Sequence, residues 1–280
     1  MCQSTPDRRQ NGCEAKQMYR QGDQIEVKVV DCAGTIILHR PDHGNALTQY
    51  MLGQLVEALD DLYRERRVRA IILTGAGATF SEGMDVSEML DDPAKPTPPQ
   101  QWGEDAVSYR DVVLRMMEIT KPIIAAVNGP ALAGGAGLVA ASDVVVASTE
   151  ASFGLPDPRR GLVAGIVAPL LCFRLGAGHA ARLLLTSATI SAQEAHALGI
   201  FHELVPHNKV WARAMQLAGE CAAGAPEAIQ LTKRLLFETI GEQLATQLAA
   251  GAVMSATART TEAAQEGIAA HLEQRPPQWK

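Results

Sequence analysis

The chain has 280 residues, 47% of them hydrophobic and 20% charged, with a formal net charge of -6. That length and balance suit one large globular domain, or a domain with a smaller appendage, and exclude wholesale disorder. The negative balance argues against nucleic acid, whose phosphates need clustered Lys and Arg, and the most apolar stretch, 122–147, is broken by Asn128, Pro130 and Asp143, so no membrane span is expected.

Residues 1–23 are polar, lack the apolar stretch of a secretory signal, and are expected to form a flexible leader. The five cysteines, Cys2, Cys13, Cys32, Cys172 and Cys221, are odd in number and widely spaced. They suit a reducing cytoplasm better than a disulfide framework or a zinc site. "QIEVKVV" alternates Ile25, Val27 and Val29 on one face and turns through "DCAG" into "TIILHR", which predicts a β-hairpin. The next segment, "ALTQYMLGQLVEALDDLYRER", carries Leu52, Leu55, Val56, Leu59 and Leu62 at helical spacing. "VRAIILTG" is a buried strand closed by Gly75, and Asp85 with Glu88 has the spacing of a capping box. Four prolines in 91–101 predict a mobile surface loop, followed by a helix over about 102–119 and a strand at 122–127. Then come a glycine-rich helix start, the strand "DVVVAS", and an extended piece, "ASFGLPDPRRGLVAG", running into a helix. Ser191 and Glu194 have capping-box spacing, and Gly199 is an expected helix stop. Beyond Pro206 the pattern is helical only. The expected organisation is therefore a leader (1–23), an α/β core (24–205) and a helical region (206–280).

The segment "NGPALAGGAGLVAASD" (128–143) clusters Gly134, Gly135 and Gly137 where an apolar run ends. Such clusters let backbone N–H groups approach a phosphate, a dinucleotide, a developing oxyanion or other backbone. Gly135 to Ala140 matches G-x-G-x-x-A, but "NGPALA" separates it from the strand, and no acidic residue ends a second strand at the usual distance, so NAD binding is not expected. Neither a Walker A loop nor G-x-S-x-G occurs. A second strand, glycine loop and helix start, "ILTGAGATFSEGMDVSEM" (72–89), makes a two-donor oxyanion hole the better reading.

Together with "RPDHGNALT" (40–48), "KPIIAAVNGPALAGGAGLVAASDVVVAS" and the tail "EAAQEGIAAHLEQRPPQW", these segments resemble the crotonase, or enoyl-CoA hydratase/isomerase, family over about residues 24–280. The resemblance implies a spiral of ββα units with a C-terminal helical trimerisation region, assembled as a homotrimer or dimer of trimers. It also implies an acyl-CoA thioester substrate, coenzyme A being part of that substrate and no separate cofactor or metal being needed. The thioester oxygen would be held by the N–H groups of Met84 and Gly134. Ala46, Ser81, Gly83, Asp85, Val86, Pro130, Leu132 and Pro156 would line the substrate site.

Asp157 stands where hydratases of the family carry an acid/base glutamate, and an apolar pocket should raise its pKa. The second carboxylate of that family pair would fall at Gly137. Hydration or dehydration across C2=C3 ranks first, with double-bond isomerisation by Asp157 alone, or a weakly catalytic acyl-CoA binder, as alternatives. Glu104 or Asp111 would be the fallback carboxylates. His39 and His43 flank the segment expected to meet coenzyme A. His196, His202 and His207 lack metal-ligand spacing and are expected on exposed faces, as is Lys233, a solvated helix lysine.

Overall fold

The structure is a computed structural model describing residues 16–17, 22–90, 99–239 and 241–279. Cys2 and Cys13 lie outside them, as does most of the 1–23 leader and residues 91–98 of the proline-rich loop. The strands are β1 (Lys16–Gln17), β2 (Ile25–Val30), β3 (Ala33–Leu38), β4 (Ala70–Gly75), β5 (Ile123–Val127), β6 (Ala131–Leu132), β7 (Val144–Ser148), β8 (Ser152–Gly154), β9 (Thr189–Ser191) and β10 (Glu203–Val205). The helices are α1 (Gln49–Arg64), α2 (Pro99–Glu118), α3 (Gly134–Ala141), α4 (Val167–Thr186), α5 (Ala192–Ala197), α6 (Val210–Ala223), α7 (Pro226–Glu238), α8 (Gly241–Arg259) and α9 (Glu262–Leu272).

The main sheet runs β1-β2-β3-β4-β5-β7-β10, antiparallel through β3 and parallel from β3 onward. Its central parallel strands β4, β5 and β7 are largely apolar because both faces are covered. Ile71, Leu73, Ile123 and Ala125 point into the large core with α1 and α2, while Ala70, Ile72, Ile124 and Ala126 face α6 through Val210, Ala214 and Leu217. Helix α1 begins where Thr48 Oγ1 accepts from Met51 N at 3.0 Å, and it buries Leu52, Leu55, Leu59 and Leu62 as its spacing predicts.

A second sheet, β6-β8-β9, pairs Leu132 with Gly154 in parallel. That register matters, because α3 starts two residues after Leu132 and Asp157 follows Gly154 by three. The carboxyl ends of β4, β5, β6 and β8 thus deliver their loops to one place, the usual ligand edge of a parallel sheet. The helical region covers that edge: Leu244, Leu248 and Ala252 of α8 belong to the main core, and α9 packs on the one-turn helix Asp157–Arg160.

Four sequence expectations are corrected. Lys16 and Gln17 are not leader but a strand pairing with Val29 and Lys28. Helix α2 starts at Pro99, inside the expected loop. Asp85 and Glu88 make no capping box: Asp85 accepts from Ser87 N over a single 3-10 turn, while Glu88 accepts from Gln49 N at 2.9 Å. An N–H at the start of α1 has no partner within its own helix, so it draws the carboxylate away. Lys233 is buried, not solvated. Its Nζ donates to Met116 O (3.1 Å) and Lys121 O (3.0 Å) and pairs with Asp143 at 2.6 Å. The last-turn carbonyls of α2 need donors, and α7 supplies one. Burial pulls the Lys233 pKa down and Asp143 pulls it back.

Candidate active site

The Met84 loop is stitched on both sides. Leu47 N donates to Gly83 O and Asp85 N donates to Leu47 O, so the bonds on that flank straddle Met84. On the other flank Ser81 N donates to Pro130 O, and Leu132 N donates to Ser81 O. Asn45, fully buried, ties these loops together by donating to Ala76 O (2.8 Å) and Thr79 O (2.7 Å). Gly83 adopts φ +97, a conformation that disfavours a side chain, and a Cβ there would lie 2.8 Å from Gly134 N and 2.6 Å from Ala133 Cβ.

Gly134 N is the first N–H of α3 and has no helical partner. The preceding Ala133 is held at φ 48, ψ -120, a strained setting for a residue with a side chain, of order 1–3 kcal/mol. It is over-determined by Ala133 N donating to Gly154 O (2.9 Å) and Gly137 N donating to Ala133 O (3.1 Å). A Cβ on Gly134 would lie 3.4 Å from Met84 N, so the two amides are neighbours. Met84, Gly134 and Asp157 line one cavity of about 90 Å³.

Asp157 opens the one-turn helix, and its Oδ2 is buried with no hydrogen-bond partner. Burial raises its pKa, against the smaller lowering effects of its own backbone N–H and Arg160. An orphaned buried acceptor calls for a reason, and here it faces a cavity with two amide donors. Val86 lines that cavity too, and with Met84 and Arg160 it also lines an adjoining groove of about 650 Å³. Ala46, Asp85 and His43 line the groove, together with the end of α9 through Arg275. His39 is exposed and outside both.

The remaining expected substrate contacts are scaffold. Ser81 is fully buried; its Oγ donates to Asn45 O (3.0 Å) and accepts from Gly83 N (3.1 Å). Pro130 serves through its carbonyl, Leu132 through strand pairing, Pro156 as the residue before the Asp157 turn, and none of the three lines the cavity or the groove. Glu104 and Asp111, the fallback carboxylates, are exposed and outside the cavity; the carboxylate of α2 that does line it is Asp105. His196, His202 and His207 are exposed, and no group of three potential metal ligands occurs among the described residues.

Tyr109 has no counterpart in the sequence reading. It is buried, lines the cavity, and donates through its hydroxyl to Gly134 O at 2.6 Å. A Cβ at Gly137 would fall 2.0 Å from that hydroxyl, so the tyrosine occupies the space that a side chain at position 137 would need. Burial and the nearby Asp157 raise its pKa far enough to keep it a neutral donor. One signal for it was available: Trp102, Asp105 and Tyr109 recur at 3 and 4 residues on a helix whose face also buries Val112, Val113 and Met116.

A family model described as enoyl-CoA hydratase/isomerase matches residues 31–280. The chain is 37% identical over 244 residues to a putative enoyl-CoA hydratase of Thermus thermophilus, covering 87% of this chain and 96% of that one. It is 32% identical over 250 residues to the 2,3-dehydroadipyl-CoA hydratase of Escherichia coli K12, covering 88% and 94%. Among solved structures, an enoyl-CoA hydratase/isomerase of Xanthobacter autotrophicus Py2 superposes with a TM-score of 0.80 at 29% identity, covering 90% of this chain and 97% of the other. Two glycine loops meeting at one carboxylate, on a fold shared over nine-tenths of the chain, place this protein in the enoyl-CoA hydratase/isomerase family, with the crotonase fold.

Proposed function

We propose that the chain adds water across C2=C3 of an enoyl-CoA, and removes it from the 3-hydroxyacyl-CoA, with Met84 and Gly134 as oxyanion donors and Asp157 as the proton shuttle. The observation that carries this is the unpartnered Asp157 Oδ2 sharing a cavity with two adjacent amides. The ionised carboxylate takes a proton from water as the water oxygen bonds to C3. The C2=C3 electrons move to C2 and onto the thioester oxygen, which the two N–H groups hold. Asp157 then returns the proton to C2 and the carbonyl re-forms. Donors fixed in advance at a loop and a helix start need no reorganisation, and losing one typically raises such a barrier by about 3 kcal/mol. Tyr109 braces Gly134 from behind through its carbonyl. The coenzyme A portion would lie in the groove beside Ala46, Asp85 and Arg160. This chemistry is acid–base transfer with coenzyme A as part of the substrate and no separate cofactor.

The test follows a short enoyl-CoA in deuterated water. The expected result is loss of the conjugated thioester absorbance, a 3-hydroxyacyl product and one deuterium at C2. Migration of the double bond without net water addition would make the chain an isomerase, and no exchange at all would leave only a binder.

We also propose a homotrimer or dimer of trimers, acting in the cytoplasm. Leu231, Leu235 and Leu236 on α7 and Val253 and Met254 on α8 are all exposed, an apolar face that a single chain leaves to water. Cys32, Cys172 and Cys221 are free, which suits a reducing compartment, and no helix among the described residues is long and apolar enough to cross a membrane. Light scattering should give three or six times 29.9 kDa, and a concentration-independent monomer would sink the assembly proposal.

A further inference from the structure

The cavity that holds Asp157 extends along α2. Tyr109 stands at Gly134, and Asp105 lines the same cavity four residues earlier, about 6 Å along the helix axis. There it meets Arg259, the last residue of α8, through an Nη1–Oδ2 pair of 2.9 Å whose side chains are only 6% and 12% exposed. The Trp102 ring lies 5.6 Å from the guanidinium carbon and covers one face of the group. Arg259 lines the cavity, yet its Nε and Nη2 are buried without a hydrogen-bond partner, as is Trp102 Nε1.

Buried donors left unpaired are unfavourable, and a purely structural ion pair would be expected to satisfy them. All three orphaned atoms in this cluster are donors, so the group that completes it is an acceptor. The Nε–Nη2 edge is the side of a guanidinium that grips a carboxylate with two parallel N–H bonds. Asp105 already occupies Nη1 and holds the fork in place. Ser255, the neighbouring hydroxyl on the cavity wall, is engaged elsewhere: it donates to Val163 O (2.9 Å) and accepts from Gly165 N (3.2 Å).

We propose that Arg259 reads the far end of the acyl chain, and that the preferred substrates are short acyl-CoA thioesters ending in a carboxylate. This rests on the hydratase reading above and names its substrate class. A methyl-ended chain leaves the fork unpaired, and sites built to hydrogen-bond a substrate reject analogues that lack the partner.

The experiment compares kcat/KM for two enoyl-CoA thioesters of equal length, one ending in a carboxylate and one in a methyl group. The expected preference is at least about 100-fold for the carboxylate, falling at least tenfold in Arg259→Met. Arg259→Lys keeps the charge and loses the fork; the same fall is expected there, which covers the case in which the Met variant does not fold. Calorimetry with the two saturated, unreactive thioesters reads binding separately and should favour the carboxylate-ended one. Equal or reversed preference in the wild type overturns the inference while leaving the hydratase reading intact, as does a preference that survives both substitutions. Hydration of neither thioester, with tighter binding of the carboxylate-ended one, overturns the hydratase reading and keeps Arg259 as the recognition residue.

Discussion

Asp157→Asn should fold, bind acyl-CoA and turn over about 10²–10⁴-fold more slowly, the usual contribution of a positioned acid or base. The amide is nearly isosteric, and Asp157 Oδ2 makes no hydrogen bond that the change would break. The wild-type kcat/KM should fall on the acid side, because the shuttle begins ionised, and the midpoint should lie above the ordinary aspartate value because burial raises it. The variant should lack that limb. The same shift predicts an opposite effect on stability. A carboxyl whose folded pKa lies above its unfolded value stabilises the fold below the unfolded value, and that stabilisation is lost as pH rises through the folded one. At neutral pH Asp157→Asn should therefore melt higher than the wild type, with the difference closing as pH falls below the ordinary aspartate range. Full activity in the variant, with the acid limb retained, would move the proton transfer to another group.

Gly137→Glu, which restores the second carboxylate of the family pair, should destabilise the fold by about 3 kcal/mol or more and fail to speed water addition. A Cβ at 137 would lie 2.0 Å from Tyr109 Oη and 2.9 Å from Val167 Cγ2. Tyr109 cannot yield without giving up its 2.6 Å bond to Gly134 O, which braces the start of α3. The new carboxylate would also share a buried space with Asp157, and like charges so placed cannot both ionise freely. Removing the obstacle should show the coupling: Tyr109→Ala with Gly137→Glu should be less destabilised than the sum of the single changes, by about 1–3 kcal/mol. Denaturant midpoints measure this. A Gly137→Glu chain as stable as the wild type and faster in hydration would mean that Tyr109 is not what keeps position 137 a glycine.

Features that depend on a few neighbouring residues were legible in the sequence. The alternation of Ile25, Val27 and Val29, the helical spacing of Leu52, Leu55 and Leu59, and the glycines that free Met84 and Gly134 all express short-range sterics and periodicity. So did the place of Asp157, once the order of the motifs suggested the family. The role of each polar side chain was less legible, because it depends on what the fold brings alongside. Ser81, expected at the substrate, knits two loops together, and Lys233, expected in water, closes the end of a helix 117 residues away in sequence. Tyr109 fills the space beside Gly137, 28 positions on, and Arg259 meets Asp105 across 154. A glycine motif carries its geometry in its own backbone, so the sequence alone pointed to the Met84 and Gly134 amides proposed as oxyanion donors. A buried tyrosine or arginine acquires its role from partners that only tertiary packing supplies, so the structure alone decided which side chains share the cavity with Asp157.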